Sequence, residues 1–261
     1  MLRGFLLLVV ALALSAAAQA DLKLVQKSTM EGDLGKRLQK AESAPQAPMV
    51  TTYYKGGRMR TEAGERVTIF DGERTLLLNP KKKTYQAIPK NAGAELANPM
   101  LAMMDIKADV SVKPTGKSQM IQGKMAQQYV LTMTMKLGMK AATEGASKED
   151  MPQIPPITSK TELWTVEFPG ITLGAGAARQ AMPAGMGNLP FVKDLTDKLK
   201  SIKGIPLQTT MTQDVMGKKM NVTVKTLSLS EAPLPESLFA PPAGYKQVPY
   251  EAPTMPTMPG G

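Results

Sequence analysis

The chain has 261 residues, a formal charge of +10, no cysteine and no histidine. Those absences exclude disulfides, thiolate catalysis, zinc–thiolate centres and the side chain that most often serves as a general base near neutral pH. The basic balance favours anionic partners such as lipid headgroups, lipopolysaccharide or acidic polymers, with ordinary solubility charge as the plainer reading.

The first twenty residues, MLRGFLLLVVALALSAAAQA, combine Arg3, an apolar run and Ala18-Gln19-Ala20. This is the form of a secretory signal cleaved before Asp21, so the mature chain is expected to be exported without a transmembrane span. Leu22–Met30 reads as a first strand, and Glu31–Pro48 as a polar connection or insertion. Residues 49–88 carry the densest pattern. Met49–Lys55, Arg58–Thr61, Arg66–Phe70, Glu73–Asn79 and Thr84–Ile88 read as a five-strand antiparallel meander. Gly56-Gly57 and Asp71-Gly72 suit two-residue hairpins. Met59 and Thr61 fall on one face, with Arg58, Arg60 and Glu62 on the other. Lys81-Lys82-Lys83 reads as a solvated turn protecting a sheet edge, or as a contact for phosphate-bearing lipid.

Asn91–Asp105 has helical spacing, with Asn91 as a cap and Pro99 limiting it. β structure resumes over Lys107–Lys113, Lys117–Ile121 and Met125–Lys136, where Tyr129, Leu131, Met133 and Met135 alternate with Val130, Thr132 and Thr134. Leu137–Ile157 reads as an exposed loop. Thr158–Phe168 is a strand with Trp164, Val166 and Phe168 on one face. In Ile171–Gly187, Gly174 and Gly176 are too sparse a signal for a nucleotide loop. Asn188–Lys203 is the best predicted helix, with Val192, Leu195, Leu199 and Ile202 as its apolar stripe and Gly204 as its terminator. Ile205–Gln213 and Lys218–Leu229 form a last hairpin. Apolar positions in its second strand shift from even to odd near Lys225-Thr226, which predicts a bulge. Asn221-Val222-Thr223 matches a glycosylation acceptor but lies within that strand. A short helical step at Glu236–Phe239 follows, with Phe239 and Tyr245 pinning the return. Residues 248–261 read as a disordered Pro/Met-rich tail.

No nucleophile elbow or metal-binding constellation appears, and no cofactor is implied. Nucleic acid is not an expected partner. Asp and Glu remain, so a carboxylate-dependent hydrolase stays open as a minor reading.

Tyr54–Arg60, Ile69–Gly72, Asn79–Tyr85, Gly123–Tyr129, Glu162–Trp164, Gly204–Met211 and Leu238–Tyr245, in that order, resemble an uncharacterised family of exported bacterial proteins of unknown function. That family is similar in architecture to the periplasmic Lol-type lipoprotein carriers. The resemblance implies an incompletely closed antiparallel barrel, helices plugging its concave side, and a hydrophobic cavity for acyl chains.

The expected fold is therefore mainly β: one domain over 21–247, a curved antiparallel sheet of about eleven strands forming an incomplete barrel covered by about two helices. The expected function is a non-enzymatic binding protein for lipids or lipid-modified proteins, exported to a Gram-negative periplasm, with secretion as the alternative. The candidate apolar wall is Met59, Leu131, Met133, Trp164, Met211 and Val222, with methionines supplying an adaptable surface. An anionic membrane surface is a further candidate partner, and a ligand-free scaffold binding another protein is the alternative.

Overall fold

The computed structural model describes residues 21–32, 49–88, 104–139, 155–171, 190–215 and 218–250. The described residues are mostly β, with one α-helix. The strands are β1 (Leu22–Glu31), β2 (Met49–Lys55), β3 (Arg58–Ala63), β4 (Arg66–Phe70), β5 (Thr75–Asn79) and β6 (Thr84–Ile88). They continue with β7 (Met104–Ile121), β8 (Lys124–Met139), β9 (Ile157–Val166), β10 (Ile205–Val215), β11 (Lys218–Ser230) and β12 (Lys246–Gln247). All twelve join one sheet in the order β12-β6-β5-β4-β3-β2-β1-β11-β10-β9-β8-β7. Pairing is antiparallel except for the two-residue β12, which runs parallel to β6. The sheet is curved and open: β7 and β12 are its two edges.

The meander forms where the turn chemistry places it. Lys55 pairs with Arg58 across Gly56-Gly57, whose φ values of 51° and 78° are those a two-residue primed turn requires. Asp71-Gly72 behaves differently from expectation. Phe70 pairs with Thr75, so the loop is the four residues 71–74 rather than two. The Asp71 carboxylate accepts hydrogen bonds from the backbone N–H of Glu73 at 3.0 Å and of Arg74 at 2.7 Å. That side-chain turn competes with the tight hairpin and wins.

Residues paired across neighbouring strands share a face. By this rule the buried side of the meander reverses between β3 and β4. Leu22, Tyr54 and Met59 share one face. Val67 pairs with Glu62 and Ile69 with Arg60, so these two apolar residues lie on the reverse. There they join Leu76 and Leu78 in a buried cluster with Tyr85, Ala87 and Tyr245 packed against it. The cover on that reverse side is the C-terminal segment 231–250. Its 3-10 turn, Glu236–Phe239, buries Phe239, and the Arg58 guanidinium lies 5.2 Å from the Phe239 ring centroid. Arg60 donates to the Leu238 carbonyl at 3.1 Å, and Lys246 N–H donates to the Lys83 carbonyl at 3.0 Å.

The main core sits at a corner made by two inserted residues. Val25 pairs with Ser228 but Gln26 pairs with Thr226, which leaves Leu227 extra in β11. Pro206 pairs with Thr165 but Gln208 pairs with Trp164, which leaves Leu207 extra in β10. An inserted residue reverses the alternation of one strand against its neighbour and bends it. Leu22 and Leu24 of β1 thereby meet Ala126 of β8, Val166 of β9, and Ile205 and Leu207 of β10 in one buried cluster with Phe168 and Ile171. Each fully buried aliphatic side chain contributes roughly 1.5–3 kcal/mol.

The single described helix, α1 (Pro190–Leu199), packs beside edge strand β7 and buries Leu195, with Ile202 buried in the turn beyond it. The Lys198 ammonium donates to the Val110 carbonyl of that edge. The helix is shorter than the expected Asn188–Lys203, because residues 200–203 tighten into turns. The other expected helix, Asn91–Asp105, lies almost wholly outside the described residues, and its last two positions open β7 instead. β7 also runs through Pro114-Thr115-Gly116, where a break was expected. A register shift between Pro114 and Ser118 absorbs the proline on a strand that, among the described residues, has a partner on one side only. Among the described residues there are twelve strands against about eleven expected: Lys107–Lys113 and Lys117–Ile121 merge into β7, and the short β12 is new. The expected signal segment 1–20 and most of the 31–48 and 137–157 connections lie outside the described residues, as do residues 251–261 of the expected tail.

Candidate functional site

The clean alternation in β8 fixes where an apolar wall is displayed. Val112, Leu131, Thr161, Met211, Val222 and Met30 are successive cross-strand partners on β7, β8, β9, β10, β11 and β1. Two residues further along runs Val110, Met133, Ser159, Gln213 and Met220. On the other side runs Tyr129, Leu163, Thr209 and Val224. All three rows share one face. At an interstrand spacing of ~4.8 Å, six strands make a surface roughly 24 Å across.

Four of the six sequence-predicted residues, Leu131, Met133, Met211 and Val222, fall in two adjacent rows of this face. All four are half-buried, and neither buried cluster includes them. Val110 and Met220, which sequence reasoning did not select, are buried in the same rows. The structure does not bring the other two predicted residues to this place. Met59 is buried at the far end of the sheet, where it pairs with Tyr54 and Phe70. Trp164 pairs with Gln128 and Gln208 on the reverse face and packs against the corner core. Its even position in β9 sets it opposite to Thr161 and Leu163, so parity alone separates it from the wall.

The wall is apolar at its flanks, while along its middle polar side chains alternate with Leu163 and Met211. Ser159 and Thr161 of β9 and Thr209 and Gln213 of β10 form a hydroxyl and amide stripe between two patches. One patch is Val110, Val112, Leu131 and Met133; the other is Met220, Val222 and Met30. A few fixed hydrogen-bonding groups within an apolar surface orient an amphiphilic ligand, while the flanks supply burial. Thr and Ser recur throughout these strands, so the sequence carried no signal that this subset converges.

The principal charged cluster is elsewhere. The Lys55 ammonium lies 2.8 Å from the Asp21 carboxylate and 3.4 Å from that of Glu236, and Arg58 lies 2.6 Å from Glu236. The Asp21 carboxylate also accepts the Leu234 N–H at 2.6 Å. Burial pushes the Asp21 carboxyl up, but hydrogen bonds from Lys55 and Leu234 outweigh it and hold the group below its ordinary value of 3.8. The Arg58 hydrogen bond holds Glu236 below its ordinary value as well. Two carboxylates that both stay ionised supply no general acid, which a carboxylate-pair hydrolase requires. Among the described residues no group of three or more Asp or Glu side chains is gathered as a metal site. No helix among them is long and apolar enough to cross a membrane. Asn221 lies inside β11, paired on both sides, with its Oδ1 buried, which is not the exposed loop a glycan acceptor occupies.

No family model matches the chain, and no curated protein matches it. Among solved structures, a crystal structure of an uncharacterised conserved protein from Thermus thermophilus is similar over 89% of this chain and 91% of that one. The identity is 10% and the TM-score 0.41, a likeness too loose to carry a functional reading.

Proposed function

We propose that the protein is an exported, non-enzymatic binder of lipids or lipid-modified proteins in a bacterial cell envelope, with the wall centred on Leu131, Met133, Met211 and Val222 as its binding face. On this reading the open sheet is a Lol-carrier-like incomplete barrel. The observation that supports it is the convergence of half-buried Leu, Met and Val side chains from five strands on one face, around a polar stripe. Methionine is unbranched and polarizable, so such a face accommodates acyl chains of different lengths. Affinity comes from apolar area removed from water, and Ser159, Thr161 and Gln213 orient the polar end of the ligand.

The test is organic extraction of protein purified from its native envelope, followed by mass spectrometry, together with uptake of a fluorescent fatty acid in solution. The expected result is copurifying lipid, saturable uptake, and at least a roughly tenfold loss of affinity in the Met133→Gln/Met211→Gln double variant. Clean extracts combined with no uptake would refute the reading.

A further inference from the structure

We propose that the tip of the β7–β8 hairpin is a membrane-docking device that inserts Met120 and Met125 into the interface of an anionic bilayer. The inference does not rest on lipid carriage by the wall. Ile121 pairs with Lys124 across the two-residue turn Gln122-Gly123, and Met120 pairs with Met125 one step back. Paired residues alternate faces, so the two pairs point to opposite sides. The inner side is fastened: Ile121 packs against the corner core, and the Lys124 ammonium lies 2.5 Å from Glu231 and 5.9 Å from the Phe168 ring centroid. The Gln122 amide also donates to the Thr226 carbonyl at 3.1 Å, which sets the turn beside Leu227.

That leaves the two methionines on the outer side, 60% and 56% exposed. Single exposed apolar side chains are common, but here a cross-strand pair is held outward at the end of a braced turn. The charge around it identifies the partner. From Val110 to Met139 the chain carries no acidic residue; of its lysines there, Lys124 is engaged by Glu231 and Lys136 lies at the other end of β8, so Lys113 and Lys117 form the collar. Lys113 and Lys117 are exposed on the edge strand behind the tip. An apolar point with a cationic collar matches a bilayer whose headgroups are negative: burial of the point adds to attraction of the collar.

The test uses protein recovered from the cell envelope and vesicles of phosphatidylcholine with or without one quarter phosphatidylglycerol. Because the chain has no cysteine, Met125→Cys carries a single environment-sensitive dye, and Glu65→Cys, in the turn at the opposite end of the sheet, is the control. The expected result is sedimentation with the anionic vesicles, a blue shift at position 125 and none at 65. Met120→Ser/Met125→Ser should weaken binding roughly tenfold while leaving the melting curve unchanged. Lys113→Gln/Lys117→Gln should weaken it at low salt and less at high salt. Absence of vesicle binding, equal binding to neutral vesicles, equal shifts at both dye positions, or unchanged binding by the serine variant would each overturn the proposal. Crosslinking of position 125 to an envelope protein without a vesicle-induced shift would also overturn it, in favour of a protein partner.

Discussion

Gly204 joins the turn after α1 to β10 with φ of +82°, and a Cβ placed there would collide with the Val166 carbonyl. Two costs add at this position: a left-handed backbone that side chains disfavour, and a rigid main-chain neighbour that cannot swing aside. Gly57 has a similar φ of +78° but open space around the missing Cβ, so only the first cost applies there. Gly204→Ala is therefore expected to lower unfolding free energy by roughly 2–4 kcal/mol, against about 1 kcal/mol for Gly57→Ala. Urea denaturation of both variants checks this, and equal losses would show that the close approach to Val166 is relieved by backbone adjustment. The same contrast separates wall residues from core residues. Met211 is half-buried whereas Leu207 is wholly buried, so polar changes at the first are expected to alter binding more than stability.

At the scale of the element, the C-terminal segment is tied down at both ends: Leu234 to Asp21, and Lys246 to Lys83. The Asp21 carboxyl is held below its ordinary 3.8 in the folded chain, so it contributes stability above that pH and loses it as pH falls through the folded value. Asp21→Asn is expected to loosen the segment at neutral pH, seen as faster exchange of the Leu234 N–H. Its stability should match the parent once both are taken well below pH 3.8. Parallel stability curves from about pH 6 to 2 would count against this tie. Much of this element is legible in the sequence: the short helical step expected at Glu236–Phe239 is where the 3-10 turn forms, and Phe239 and Tyr245, expected to pin the return, pack against the sheet. The meander was legible from Gly56-Gly57 and from period-two alternation in Arg66–Phe70. The wall was legible only in part. Periodicity put Leu131 and Met133 on one face of β8, and it also put Trp164 with Val166. It did not say which side of β9 matched which side of β8, because that depends on register between strands brought together by a connection of more than a dozen residues. The reversal of the buried side between β3 and β4 was hidden for a related reason: its cover comes from more than 150 residues later.

Across the whole molecule, an open sheet must solve two problems that a closed barrel avoids. Its edges present unpaired backbone, and its two faces cannot both be buried against each other. The edges are managed at β7 by α1, with Lys198 satisfying the Val110 carbonyl, and at β6 by the two-residue β12. The faces are managed by the inserted residues Leu207 and Leu227, which let side chains from the reverse of β8 and β9 meet those on the wall side of β1. The main core is thus gathered at the corner, a second cluster lies under the C-terminal segment, and the wall beyond them is left half-exposed. If this division holds, deleting Leu207 should do more than remove one buried side chain. Leu207→Ala keeps the register and is expected to cost about 2–5 kcal/mol while unfolding stays cooperative. The deletion also removes the insertion, so Pro206 and Gln208 run continuously opposite Thr165 and Trp164 without the bend that brings Ile205 and Val166 to Leu22 and Leu24; the corner cluster is divided, and cooperative unfolding is expected to disappear. Thermal melts followed in the near-ultraviolet through Trp164, which packs against that cluster, distinguish the two variants. A deletion variant that melted as sharply as Leu207→Ala would mean that the corner does not depend on the insertion, and the separation of core from binding face would need another cause.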